Sequence, residues 1–238
     1  MSLSLEEQAQ SFIDGRVLLI DKPLGWSSFQ AVNFIKHRVK RISKQKKIKV
    51  GHAGTLDPLA TGLLIICTGK KTKSINEYMG LNKVYSGSFE LGSTTPSYDK
   101  ESEVDKSFSL DGISEERILK NRLQFLGEQQ QLPPIFSALK KDGKKMYEYA
   151  REGKEVEITP RTVCIERFEI KKIELPLVYF ELECSKGTYV RSLAHDFGKA
   201  LNIGAHLASL RREAIGEFNV NEAPTPQAWE EQIKAEIL

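Results

Sequence analysis

The stretch Gly51-His-Ala-Gly-Thr-Leu-Asp-Pro-Leu-Ala-Thr-Gly62 constrains this chain more than any other. Three glycines in twelve residues sit between two runs that read as strands, Lys47 to Val50 and Leu63 to Cys67. Glycine is costly inside a regular element and cheap in a turn, so the segment reads as a tight exposed loop between strands. Asp57 precedes Pro58, whose ring pushes it towards extended backbone and out of any helix interior. Loop chemistry alone makes Asp57 an Asx-turn or capping aspartate. A P-loop is excluded, because the Gly-Lys-Ser/Thr ending is missing.

Around this loop the chain alternates between strand and helix patterns. The first dozen residues are polar and read as frayed. Arg16 to Ile20 reads as a short buried strand, closed by a turn over Asp21 to Gly25. Ser27 or Ser28 can cap a helix on which Phe29, Val32, Ile35 and Val39 share a face. Val84 to Leu91 alternates, with Tyr85, Gly87, Phe89 and Leu91 on one side. A helix over Glu115 to Leu126 follows Ser114. Residues 132–154 open on two prolines and are dense in lysine, so they read as an excursion from the core. Val163 to Ile173 and Leu177 to Cys184 read as paired strands. After Gly187, the residues Val190, Leu193, Ala194 and Phe197 mark a helix. A last strand near Glu217 to Val220 precedes a Pro-containing acidic segment. Strand-strand steps mixed with strand-helix steps predict an α+β fold or a mixed sheet. No linker divides the chain, which predicts one domain over 1–238, with the insertion at 132–154 and a short acidic C-terminal segment at 219–238.

Charge is distributed unevenly. No acidic residue falls between Lys22 and Thr55, and Lys36 to Lys49 holds eight Lys or Arg, whereas Glu213 to Leu238 holds six Glu and one Lys. A one-signed stretch predicts a polarised surface with phosphates as its partner. An inserted lipid surface is disfavoured, because the cluster lacks interleaved Trp or Leu. The longest apolar runs are strand-sized, so no membrane span is expected. Cys67, Cys164 and Cys184 are far apart and form no C-x-x-C pair, and His52, His195 and His206 share no metal-ligand spacing. A reducing cytoplasm, no metal and no cofactor are therefore expected.

Six blocks in order then resemble one family. They are Asp21-Lys-Pro-Leu-Gly-Trp-Ser-Ser28, Gly51 to Gly62, and Lys83-Val-Tyr85 with Leu91-Gly92. Pro133 to Lys140, Lys186-Gly-Thr-Tyr-Val-Arg-Ser-Leu193 and Leu210 to Phe218 complete the set. Together they resemble TruB-type tRNA pseudouridine synthases, which make pseudouridine-55 in the T-loop, over about Val17 to Phe218. The resemblance implies one catalytic domain with a mixed, largely antiparallel central sheet flanked by helices, and it reverses the capping role for Asp57. Asp57 then matches the essential aspartate and Tyr85 the aromatic that stacks on the target base. Tyr189 matches a second active-site tyrosine, and Arg191 the arginine that pairs with the catalytic carboxylate. His52 falls in the loop that helps rearrange the RNA, Leu210 lines the base pocket, and Lys22 with Pro23 supports the site. Residues 132–154 correspond to the insertion that closes on RNA.

The implied reaction breaks a glycosidic N–C bond, turns the uracil and rejoins it through carbon, with no redox change or energy input. The base must leave its stack, and stacking on Tyr85 would return about 1–3 kcal/mol. The implied partner is the tRNA T-arm, with no obligatory protein partner and a monomer as the default. The chain ends soon after Phe218, leaving no room for the PUA-type domain of many relatives, so weaker or more salt-sensitive tRNA binding is expected. Two other classes compete: a non-catalytic RNA-binding or RNA-folding module, and a guide-RNA-dependent relative. Asp57 with Arg191 speaks against the first, and the short chain against the second.

Overall fold

A computed structural model describes residues 4–137, 140–141, 144–146, 149 and 158–237. The elements run α1 (Leu5–Asp14), β1 (Val17–Lys22), α2 (Ser28–Ser43), β2 (Val50–His52), β3 (Ala60–Thr68), α3 (Ile75–Gly80) and β4 (Lys83–Leu91). Next come β5 (Ser93–Thr94), β6 (Lys106–Ser107), α4 (Glu115–Arg122), β7 (Gly127–Gln131), β8 (Lys140–Lys141) and β9 (Lys144–Lys145). Then follow β10 (Arg161–Glu174), β11 (Leu177–Cys184), α5 (Val190–Ala200), β12 (Ala205–Ile215), β13 (Phe218–Asn219) and α6 (Pro226–Ile237). They form two compact units, Met1–Tyr85 with Arg211–Leu238, and Ser86–Leu210. The chain passes between them inside β4 and inside β12, so no linker separates them. The architecture is α+β, as the sequence predicts.

In the first unit the strand order is β1-β3-β12, with β2 also paired to β3 and β13 to β12. β1 is antiparallel to β3, with Val17 opposite Cys67 and Lys22 opposite Gly62. β3 is apolar almost throughout because both its faces are covered. Leu64 and Ile66 pack with Phe12, Ile20, Ile35, Val39 and Trp229. Leu63, Ile65 and Cys67 pack with Ala53, Ile215 and Val220.

Two expectations for this unit need correction. From Ser4 onward the first dozen residues are not frayed: Ser4 and Glu7 form a capping box on α1, and Phe12 is fully buried. Phe12 meets Trp229 edge to face at 6.3 Å, and Trp229 lies on α6, within the acidic C-terminal segment. Helices this short are stable only through such packing, so neither shows clearly in its own sequence. Phe29 is 69% exposed and does not join the core. The buried stripe of α2 begins at Ser28, which turns inward to hold the backbone of Leu56.

In the second unit the order is β12-β4-β11-β10-β7, with β10 antiparallel to both β11 and β7. Val178, Phe180, Leu182 and Cys184 all point inward, as their alternation predicts. Phe89, Phe168, Phe180 and Phe197 form a ring cluster, with Phe89 and Phe180 centroids 4.4 Å apart. β7, written Gly-Glu-Gln-Gln-Gln, and most of β12 carry no apolar alternation and were not expected as strands. The expected strand at Glu217 to Val220 is only the two residues of β13. Much of the expected insertion at 132–154 lies outside the described residues. Among the described residues no helix is long and apolar enough to cross a membrane.

Candidate active site

The loop before β3 is pinned from the segment that follows β1. Leu56 N–H donates to Ser28 Oγ at 2.8 Å, and that hydroxyl donates back to Leu56 O at 3.0 Å. Gly25 N–H donates to Pro58 O at 2.8 Å, and Ala60 N–H closes a turn on Asp57 O at 3.0 Å. Asp57 itself is half-buried. Its backbone is therefore fixed on both sides.

Two buried cations stand around this loop. Lys22, at the end of β1, is fully buried, and its Nζ donates to Trp26 O at 2.6 Å and Pro23 O at 3.1 Å. Burial pushes its ammonium down to about 8; the Asp57 carboxylate opposes that shift and the Arg212 guanidinium adds to it. Arg212, on β12, is 1% exposed. Its Nε donates to Leu63 O at 2.8 Å and one terminal nitrogen to Gly54 O at 3.1 Å. Burial also holds the His52 imidazole below its usual range, opposed by a hydrogen bond with the Gly54 backbone and reinforced by Arg212.

Gly62 is a position where only glycine fits. Its φ is +103°, and a Cβ there would lie 2.3 Å from Arg212 O. Gly62→Ala is expected to destabilise the protein by about 2–4 kcal/mol, from left-handed strain plus overpacking. A urea midpoint that stays at the wild-type value would show that β12 does not press on the loop as described.

In the second unit, Tyr189 and Arg191 stand at the start of α5. Gln131 clamps the Tyr189 backbone, accepting from its N–H at 2.8 Å and donating to its carbonyl at 3.1 Å. The Arg161 guanidinium lies 5.3 Å from the Tyr189 ring centroid. Arg191 is buried, with Nε 3.6 Å from Asp99 Oδ2 and a terminal nitrogen donating to Ser97 O at 3.3 Å. Asp99 is held in turn: its Oδ1 accepts from Glu101 N–H at 3.0 Å, and its carbonyl from Thr95 Oγ1 at 2.6 Å. Tyr98 before it adopts φ +63° and stacks on His195 at 4.0 Å. A bulky residue in that region is strained and persists only where its surroundings fix it.

Sequence and structure of the chain match known proteins. Residues 40–190 match the model described as TruB family pseudouridylate synthase (N terminal domain). The chain is 54% identical over 226 residues to tRNA pseudouridine synthase B of Flavobacterium johnsoniae, covering 94% of this chain and 99% of that protein.

The chain belongs to the TruB family.

The TruB relative from Parabacteroides distasonis, with the same name, is 45% identical over 95% of this chain and 97% of its own. Among solved structures, a chain of a Cbf5-Nop10-Gar1 complex is 27% identical with a TM-score of 0.70. That match covers 99% of this chain and 62% of the other.

Within this TruB chain the expected residues fall into two groups. Lys22, His52 and Asp57 share the electrostatic surroundings of Arg212 in the first unit, where buried Tyr85 also lies. Tyr189, Arg191 and half-buried Leu210 belong to the second unit. Asp99 and Arg212 were not picked out as site residues. Asp99 sits in a polar Ser/Thr-rich loop without periodicity, and Arg212 is one of two neighbouring arginines that sequence alone does not rank. Of that pair, Arg211 forms a two-pronged ion pair with Asp21 at 3.1 and 2.8 Å.

Proposed function

We propose that this protein isomerises the T-loop uridine at position 55 of tRNA to pseudouridine, with Asp57 as the catalytic carboxylate. The observation that carries the proposal is the Asp57 loop itself. Its backbone is pinned by Ser28, Asp57 itself is half-buried and acts on the buried Lys22, and the buried Arg212 holds Gly54 of the same loop. A carboxylate can serve as nucleophile or base only while ionised, and neighbouring positive charge favours that form. The near full-length likeness to proteins named tRNA pseudouridine synthase B supports the choice of tRNA over a guide-directed RNA.

The reaction moves the uracil from an N1–C1′ to a C5–C1′ bond; C5 gives up a proton and N1 gains one, so nothing is added or removed. The target base is flipped out of its stack, which costs on the order of a few kcal/mol. Tyr85 stacks on it in this scheme, Tyr189 is a second active-site tyrosine, Leu210 lines its pocket, His52 helps rearrange the RNA, and Arg191 pairs with the reacting carboxylate. Leu24, Phe29 and Leu59, exposed by 64%, 69% and 40%, adjoin the residues that pin the loop. Large apolar side chains left bare there suit contact with unstacked bases. Residues 1–238 act as one catalytic domain, since β4 and β12 supply both units, and 132–154 closes on the RNA. The protein works as a monomer in the cytoplasm.

Pseudouridine mapping on an unmodified tRNA transcript tests this. Conversion at the T-loop uridine alone is expected. Binding of the transcript with no conversion anywhere would instead identify an RNA-binding module.

A further inference from the structure

Four exposed lysines in this chain sit beside a glutamate. Lys100 lies 2.8 Å from Glu90, Lys171 3.1 Å from Glu169, Lys172 2.6 Å from Glu174 and Lys234 3.1 Å from Glu230. One region of the first unit departs from this. Lys44, Lys46, Lys47 and Lys49 are exposed on the loop between α2 and β2, and Lys70, Lys71 and Lys73 on the turn after β3. The two segments are joined, because Gly69 N–H donates to Lys49 O at 2.9 Å. Of these seven lysines, only Lys70 has an acidic partner among the described residues, Asp14 at 2.7 Å.

A helix C-terminus favours a nearby cation, which accounts for Lys44 at the end of α2 and for none of the others. The remaining like charges repel one another, and a polyanion would relieve that repulsion. The position is also defined. Val50 pairs with Thr68, so the lysines lie at the Thr68 end of β3, while the Asp57 loop enters at Ala60. Eight steps of about 3.3 Å separate the two ends by about 26 Å.

We propose that this lysine cluster is a second RNA-binding surface, which holds backbone phosphates of the double-stranded stem below the target loop. The proposal rests on the tRNA reading above. A duplex is indicated because neither segment contains an aromatic residue on which unpaired bases could stack. Lysines on a duplex backbone fix register without reading sequence. The surface thus positions the RNA while the Asp57 end does the chemistry.

The test replaces Lys44, Lys46, Lys47 and Lys49 together by glutamine, changes that remove charge from exposed positions. Affinity for a tRNA transcript is measured from about 0.05 to about 0.2 M salt. The Kd is expected to rise at least about tenfold at the higher salt, and the salt slope to fall by about 2–4. A matched variant with Lys106, Lys120, Lys171 and Lys172 changed to glutamine should leave both almost unchanged. A hairpin cut down to the loop and its closing pairs should bind wild type and variant alike.

An unchanged Kd and slope would overturn the proposal, as would an equal loss in the matched variant or a loss that persists with the short hairpin. So would binding to vesicles of mixed neutral and anionic phospholipid that needs these lysines while tRNA affinity does not. Wild-type protein that converts no uridine, yet loses tRNA affinity as stated in the variant, would keep the surface and remove the proposed function. Normal conversion with unchanged affinity would do the reverse.

Discussion

Asp57→Ala is expected to lower the single-turnover rate of pseudouridine formation at least about 10³-fold, while tRNA affinity stays within a few-fold of wild type. The loop should survive the change, because its backbone is held by Ser28 and Gly25. Asp57→Asn keeps the shape and removes only the charge, and it should lose as much. Both variants also deprive Lys22 of the carboxylate that opposes its burial, so its ammonium falls below its wild-type value of about 8. That secondary effect is too small to explain a loss of this size. Conversion by Asp57→Ala at more than about a tenth of the wild-type rate would end the case for Asp57 as the reacting group.

The second large effect is expected at a residue that no motif highlights. Asp99 and Arg191 are almost wholly enclosed, with side chains 6% and 5% exposed. Asp99→Ala leaves the guanidinium buried without that carboxylate, which typically costs about 3–5 kcal/mol. Urea denaturation should show a midpoint lowered accordingly. Asp99→Asn separates stability from positioning. It retains volume and a hydrogen-bonding oxygen, so it should unfold closer to wild type. Yet a guanidinium displaced by about 1 Å would still slow conversion on the order of 10²-fold. If Asp99→Asn turned over like wild type, Arg191 would not need Asp99 to stand correctly.

The parts of the fold that sequence reveals are those whose physics is local. β4, β10, β11 and α5 show in the alternation or helical spacing of residues such as Phe89, Phe180 and Phe197, which face one ring cluster. α1 and α6 escape notice because each is stabilised by the other, through Phe12 and Trp229. β12 escapes for a different reason: it buries His206 and Arg212 where a strand pattern calls for apolar side chains. The candidate site divides the same way. Asp57 stands out because glycines and a proline mark its loop. Arg212 does not, because its partners are the carbonyls of Leu63 and Gly54, 149 and 158 positions away. Asp99 is hidden likewise, since nothing near it in sequence announces Arg191.

The separation of Arg212 from the loop it holds has a consequence for biosynthesis. At roughly 5–20 residues per second, a ribosome needs about 7–30 s to travel from Leu63 to Arg212, 149 positions later. Throughout that interval the Asp57 loop lacks the guanidinium that ties Gly54 to Leu63, and β3 lacks its neighbour β12. The second unit, Ser86 to Leu210, is complete before the first can close. A nascent chain therefore carries the residues of its second unit while its candidate catalytic loop still waits for Arg212.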